Sequence, residues 1–181
     1  MAKRFWIGGL MLLTLTVGAR SDDKPNTKTS DKAPAAKPSL ERMKKLAGTW
    51  VAVDKDGKPT DQVVSVIKVT AGGSAVHETL FPGSPMEMVS VYYQDGADLM
   101  MTHYCMLGNQ PRMKADPKSP ANQIRFQFAG GTNLDPARDK HMHEGTITFV
   151  DDDHIEWCGS CWEGGKPVKG HSCDMKLVRK K

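Results

Sequence analysis

Three short groups of side chains could do chemistry. His103-Tyr104-Cys105 and His141-Met142-His143 each place two donor side chains one residue apart. In an extended strand that spacing puts both members on one face, the arrangement that metal or haem ligation uses in β proteins. The stretch EWCGSCW, residues 156–162, carries Cys158 and Cys161 in the C-x-x-C spacing of a redox-active dithiol. Arg112, after Asn109 and Gln110, offers a planar fork suited to a carboxylate or phosphate.

Each group has a plainer reading. Polar pairs near strand ends commonly satisfy local hydrogen bonds, and Arg112 could instead brace the long loop in which it lies. The nine methionines beyond the leader (43, 86, 88, 100, 101, 106, 113, 142, 175) invite a Cu(I) reading, yet thioethers also fill irregular cores. A dithiol enzyme needs its first cysteine at a helix N-terminus within a βαβ setting. Here the motif follows the strand-like DDDHIEW and precedes the turn WEGGKP, so that chemistry has no scaffold. In an oxidising compartment the expectation is a structural bridge within Cys158, Cys161 and Cys173, with Cys105 left free. A zinc site from Cys158, Cys161, His171 and Cys173 is the alternative.

The elements that must position these residues begin after a leader. Residues 1–19 run from Lys3 and Arg4 through an apolar stretch to Gly18 and Ala19, the order of a secretory signal peptide. The apolar stretch is shorter than the ~20 residues of a membrane span, so no stable anchor is expected after cleavage, and the protein is expected to be periplasmic or secreted. Residues 20–39, rich in Lys, Pro and Ser, bury almost nothing and read as a disordered spacer. Residues 40–181 then suffice for one domain. The formal charge of +4 falls to +2 when Lys3 and Arg4 leave with the leader, since all 21 acidic residues lie beyond it; so weak a balance excludes nucleic acid as the expected partner.

Ser39 is placed as N-cap of a short helix carrying Leu40, Met43 and Leu46 at helical spacing. Beyond it the period changes to two. Strands are expected near 49–54, 62–70, 75–81, 86–93, 98–106, 123–129, 141–150, 154–162 and 168–179, separated by turn-forming stretches such as DKDGKPT, PGSP and EGGKP. Even spacing of short strands without intervening helices predicts an all-β domain, a single antiparallel up-and-down barrel. The alternation in HMHEGTITFV opposes Ile147 and Phe149 to Glu144, and extended backward it puts His141 and His143 on the apolar face.

Gly48-Thr49-Trp50, opening the first strand after the helix, resembles the Gly-x-Trp element of lipocalins and related calycin barrels. The resemblance implies that an arginine of the last strand, matched by Arg179, lies across the tryptophan and closes the barrel. THYCMLGNQPRM (102–113), GGTNLDP (130–136) and HMH (141–143) further resemble exported bacterial proteins of unknown function with lipocalin-like barrels.

The leading expectation is therefore an exported barrel binding a small apolar or amphipathic molecule, with His103, Cys105, Asn109, Arg112, His141 and His143 as candidate ligand contacts. The alternative is metal or haem handling through His103, Cys105, His141 and His143. The third is a small-molecule enzyme with His103 as base and Arg112 as anion holder; no paired carboxylates with a supporting base, serine nucleophile turn or phosphate loop favours it. No residue pattern specifies a cofactor or an oligomeric state.

Overall fold

A computed structural model describes residues 37–181. The expected signal peptide and the spacer as far as residue 36 lie outside the described residues. Helix α1 (Leu40–Lys44) precedes ten strands: β1 (Gly48–Val53), β2 (Pro59–Thr70), β3 (Ala75–Leu80), β4 (Met88–Asp95), β5 (Asp98–Tyr104), β6 (Gln110–Ala115), β7 (Gln123–Thr132), β8 (His141–Phe149), β9 (His154–Glu163) and β10 (Lys166–Arg179). Each strand pairs antiparallel with its neighbour in sequence, and β1 pairs with β10, so the sheet closes into an up-and-down barrel without a free edge.

The strand missing from the sequence expectation is β6. Its alternation is regular, with Pro111, Met113 and Ala115 buried and Arg112 and Lys114 exposed. It is short and charged, and a proline inside it argues against a strand. Pro111 is accommodated because it pairs with Gly131 at a register shift and lies beyond the residues of β6 that pair with β5.

Helix α1 is too short to persist alone. Ser39 takes the N-cap position with extended backbone, but its carbonyl rather than its side chain receives the first-turn N–H groups, from Arg42 at 3.1 Å. What holds the helix is burial: Leu40, Met43 and Leu46 join the barrel core across its lower end. Arg42 adds to this, its guanidinium 4.2 Å from the Phe149 ring centroid and its Nη1 donating to the Gln123 carbonyl at 3.2 Å.

At the same end the expected closure is present. Trp50 is fully buried and pairs in register with Arg179, whose Cζ lies 4.4 Å from the indole centroid. The guanidinium donates to the carbonyls of Ala47 at 2.7 Å and Lys45 at 3.0 Å, and Trp50 Nε1 donates to Leu46 at 2.8 Å, so helix, first strand and last strand are tied at one point. Gly48 is required there: its φ is +144°, and a Cβ would come within 2.8 Å of Arg179 Nη1. The architecture is thus all-β, a closed lipocalin-like barrel with a short N-terminal helix packed across its lower end.

Candidate ligand cavity and its buried polar chain

The upper end is formed by the β3–β4 connection, the β5–β6 turn and the facing ends of β8, β9 and β10. A cavity of about 350 Å³ lies between them, lined by Leu80, Phe81, Met86, Met88, His103, Cys105, Met106, Leu107, Lys140, Met142, Trp157, Gly159, Cys161 and Met175. Met86, Met106 and Leu107, three of the most exposed large apolar side chains among the described residues, stand at its rim. Apolar exposure gathered at one mouth marks a place where something apolar enters or docks.

Local backbone builds that mouth. Phe81, the first residue after β3, has φ +50°, a left-handed conformation uncommon for a bulky residue, and is held there by its N–H donating to the Val64 carbonyl at 2.7 Å. The strain brings Phe81 to the cavity wall instead of continuing the strand. On the other side, Cys105 and Asn109 close the β5–β6 turn through Cys105 N–H to Asn109 carbonyl at 3.1 Å. Asn109 Nδ2 reaches the Lys140 carbonyl at 2.8 Å, bracing that turn against the strand β8 entrance. Asn109 Oδ1 is buried and has no hydrogen-bond partner.

The expected ligand residues are thus divided. His103 and Cys105 line the cavity together. Asn109 braces its rim without lining it. Arg112 is on the outer face of β6, paired with Thr102, its Nη2 3.7 Å from where a Gly130 Cβ would lie; it does not meet His103.

His141 and His143 are not among the lining side chains, which corrects the expectation from alternation. A register shift between Met142 and Glu144 pairs Met142 with Cys161, and it is Met142 that lines the cavity. One extra residue in a strand inverts the faces of everything before it. The two histidines form a separate cluster: His143 stacks on Trp162 with centroids 3.9 Å apart and on Phe128 at 4.8 Å. His141 Nδ1 donates to the Asp139 carbonyl at 2.8 Å, and its Nε2 shares a hydrogen bond with His143 Nδ1 at 2.9 Å. Desolvation and the neighbouring His141 lower the pKa of His143, against the opposing charge of Glu144.

The C-x-x-C segment is extended strand. Trp157, Gly159 and Cys161 line the cavity while Cys158 is exposed, so the two cysteines project from opposite faces and form neither a dithiol turn nor a common metal pair. No disulfide involves Cys161 or Cys105; both are thiols, and the side chain of Cys173 lies outside the described residues. The expected staple through Cys161 is not formed. Burial raises the Cys161 pKa, with Cys105 adding to this and Lys140 opposing it, the reverse of what a redox nucleophile needs. The motif's glycine has a packing role: Gly159 pairs with Gly145, and the Trp157 ring lies over both, in contact with the place a Gly159 Cβ would occupy.

Buried polar groups beneath the cavity went unrecognised in the sequence. Glu78 is buried and accepts from Ser65 Oγ at 2.6 Å and Tyr92 Oη at 2.6 Å, one hydroxyl on each carboxylate oxygen. On the neighbouring strand Ser90 Oγ lies 3.0 Å from His103 Nδ1. The buried polar groups thus form two links, Ser65–Glu78–Tyr92 and Ser90–His103, the second reaching the cavity. Desolvation raises the Glu78 pKa while its two hydrogen bonds restrain the rise; desolvation and the Glu78 charge push Tyr92 well up. Burial lowers His103 to about 4, so its imidazole is neutral at pH 7. The available signal was parity: Val76, Glu78 and Leu80 alternate in β3, so an inward Glu78 follows from its apolar neighbours.

Comparison with protein-family models finds no match, and comparison with curated proteins finds none either. The site therefore has to be read from its own geometry.

Proposed function

We propose that the chain is an exported lipocalin-like carrier that holds one small apolar or amphipathic molecule in the upper cavity. The observation that carries this is the cavity itself: about 350 Å³ of space walled by Leu80, Phe81, Trp157 and methionines, with few polar groups among the lining. That volume is at the small end of the about 300–1,000 Å³ usual for ligand sites. It is roughly twice the ~150 Å³ apolar cavity that takes up benzene. Methionine walls add adaptability, since unbranched thioethers re-pack around different shapes. The leader-like residues 1–19 support an exported location.

The test is native mass spectrometry of protein purified from its own host without detergent, joined to titration with a graded set of alkylbenzenes followed by Trp157 fluorescence. Saturable one-to-one binding is expected. Absence of any bound mass together with absence of saturable binding across the set overturns the proposal.

A second reading rests on the sulfur at the same site. His103, Cys105 and Cys161 share the cavity with Met86, Met88, Met106, Met142 and Met175, donors suited to Cu(I). Competition for Cu(I) against a chromophoric chelator separates the two: a soft-metal carrier withdraws the ion stoichiometrically, whereas an apolar carrier leaves it with the chelator. A haem reading loses His141 and His143 from the site.

A further inference from the structure

Among the described residues that line the upper cavity, one is ionic. His103 is neutral at pH 7, since burial lowers its pKa to about 4, and the remaining lining is aliphatic, aromatic, thioether, thiol or glycine except for Lys140. Lys140 is half-buried and is the last residue before β8, at the upper end where that strand begins. Its backbone is held by Asn109, itself only 4 % exposed, whose Nδ2 donates to the Lys140 carbonyl at 2.8 Å. The Asn109 carbonyl accepts from Cys105 N–H and so closes the turn that carries Met106 and Leu107. One buried amide residue thus ties the charged residue to the apolar rim.

The charge of Lys140 is not matched from nearby. Among the described residues it enters no ion pair. The acids of the adjoining loops are engaged within those loops: Asp135 pairs with Arg138 at 2.8 Å, Asp139 accepts the Asp135 N–H at 2.7 Å, and Glu87 accepts the Gly83 N–H. None of the three lines the cavity. Lysine suits such a border, because its stem packs with apolar neighbours while its ammonium keeps to water. Inward of the rim a charged group would lose its hydration without meeting a counter-ion, at a large cost. The cavity therefore has a polarity, with hydrocarbon inside and one cation at the entrance.

We infer that the ligand is a monoanionic amphiphile, an alkyl or aryl carboxylate, seated with its hydrocarbon part in the cavity and its carboxylate against Lys140 at the mouth. This rests on the cavity being a ligand site as proposed above, and it adds a charge type and an orientation. The volume bounds the size: an apolar cavity of ~150 Å³ takes up benzene, so about 350 Å³ suits a chain of roughly eight to twelve carbons.

Octanoate, octanamide and octylammonium share one chain and differ in charge. Each is titrated at pH 7 by calorimetry into wild type and Lys140→Met, a change that keeps an unbranched apolar stem and the carbonyl that Asn109 holds. Relative to octanamide, octanoate is expected to bind about three- to fivefold more weakly to Lys140→Met than to wild type, the scale of a partly exposed ion pair. The same loss is expected in wild type on raising the salt to about 0.3 M, where screening is stronger. Lys140→Glu should turn the preference toward octylammonium. Octanoate affinity unchanged by Lys140→Met, or octylammonium binding wild type as tightly as octanoate, overturns the inference and leaves the carrier proposal standing. If no octyl compound binds wild type while the alkylbenzenes do, the inference alone fails; if neither set binds, the carrier proposal fails with it.

Discussion

Acid sensitivity offers the sharpest test of how deeply His103 is sequestered. Its pKa falls from an ordinary 6.5 to about 4 through burial. A base whose folded pKa is depressed contributes stability that is fully present above its unfolded value and is lost as pH falls through the folded one, because the unfolded chain takes up a proton that the folded chain refuses. The gap of about 2.5 units corresponds to about 3 kcal/mol in all. About 2 kcal/mol of that is gone by pH 5, since each unit below 6.5 costs about 1.4 kcal/mol. Against a domain stability of about 5–15 kcal/mol the loss is easily measured.

Glu78 works in the opposite sense. Its folded pKa is raised, so its contribution is present below its unfolded value and disappears as pH rises through the folded one. Wild-type stability alone therefore shows a damped slope. The difference between wild type and His103→Leu removes the Glu78 term, along with that of His143, because both are common to the two proteins. Urea unfolding followed by circular dichroism from pH 7.5 to 4 should show the two stabilities converging by about 3 kcal/mol as pH falls. Parallel curves would refute the claim that His103 is held neutral and out of solvent.

The barrel closure should appear as coupling: Trp50→Phe and Arg179→Met, measured singly and together by urea unfolding, should be non-additive by about 0.5–2 kcal/mol, the scale of a cation–π contact, and additivity within about 0.3 kcal/mol would remove the contact from the energetics. Gly159→Val should cost about 1–3 kcal/mol by overpacking against Trp157, and it should shift the Trp157 emission; an unshifted spectrum at wild-type stability would mean the ring does not rest there. Alkylation at pH 7 followed by peptide mapping should find Cys161 slower than an ordinary thiol, since burial raises its pKa, with ligand slowing both Cys105 and Cys161 further. Rapid modification of Cys161 in the ligand-saturated protein would place it outside the cavity.

Much of the fold is local in origin and was therefore legible in the sequence. Period-two alternation in QIRFQFA buries Ile124 and Phe126 and exposes Arg125 and Gln127. Turn-rich segments cut the chain where hairpins must reverse, and Gly48-Thr49-Trp50 with Arg179 named the point at which the first and last strands meet. These features depend on neighbours along the chain or on a motif that carries its geometry with it. The helix followed too, from Leu40, Met43 and Leu46 at helical spacing, although only burial of those side chains makes so short a helix persist.

What the tertiary structure alone decided is where parity breaks and which distant side chains meet. One extra residue at His143 turned Met142 into the cavity and took both histidines out of it, and nothing in the local pattern of HMHEGT announces a bulge, because its cause is the register with β9. Pro111 concealed β6 for the same reason: its missing donor is harmless only because of what lies beside it. The cysteines follow this logic, since Cys158 and Cys161 are three residues apart in an extended strand and so face opposite sides. The buried polar groups from Ser65 to His103 sit on four neighbouring strands, individual side chains spaced along 39 residues of sequence. Alternation in β3 and β4 points Glu78, Ser90 and Tyr92 inward, and only the pairing and register of β2 to β5 bring the Glu78 carboxylate to the Ser65 and Tyr92 hydroxyls and the Ser90 hydroxyl to the His103 imidazole.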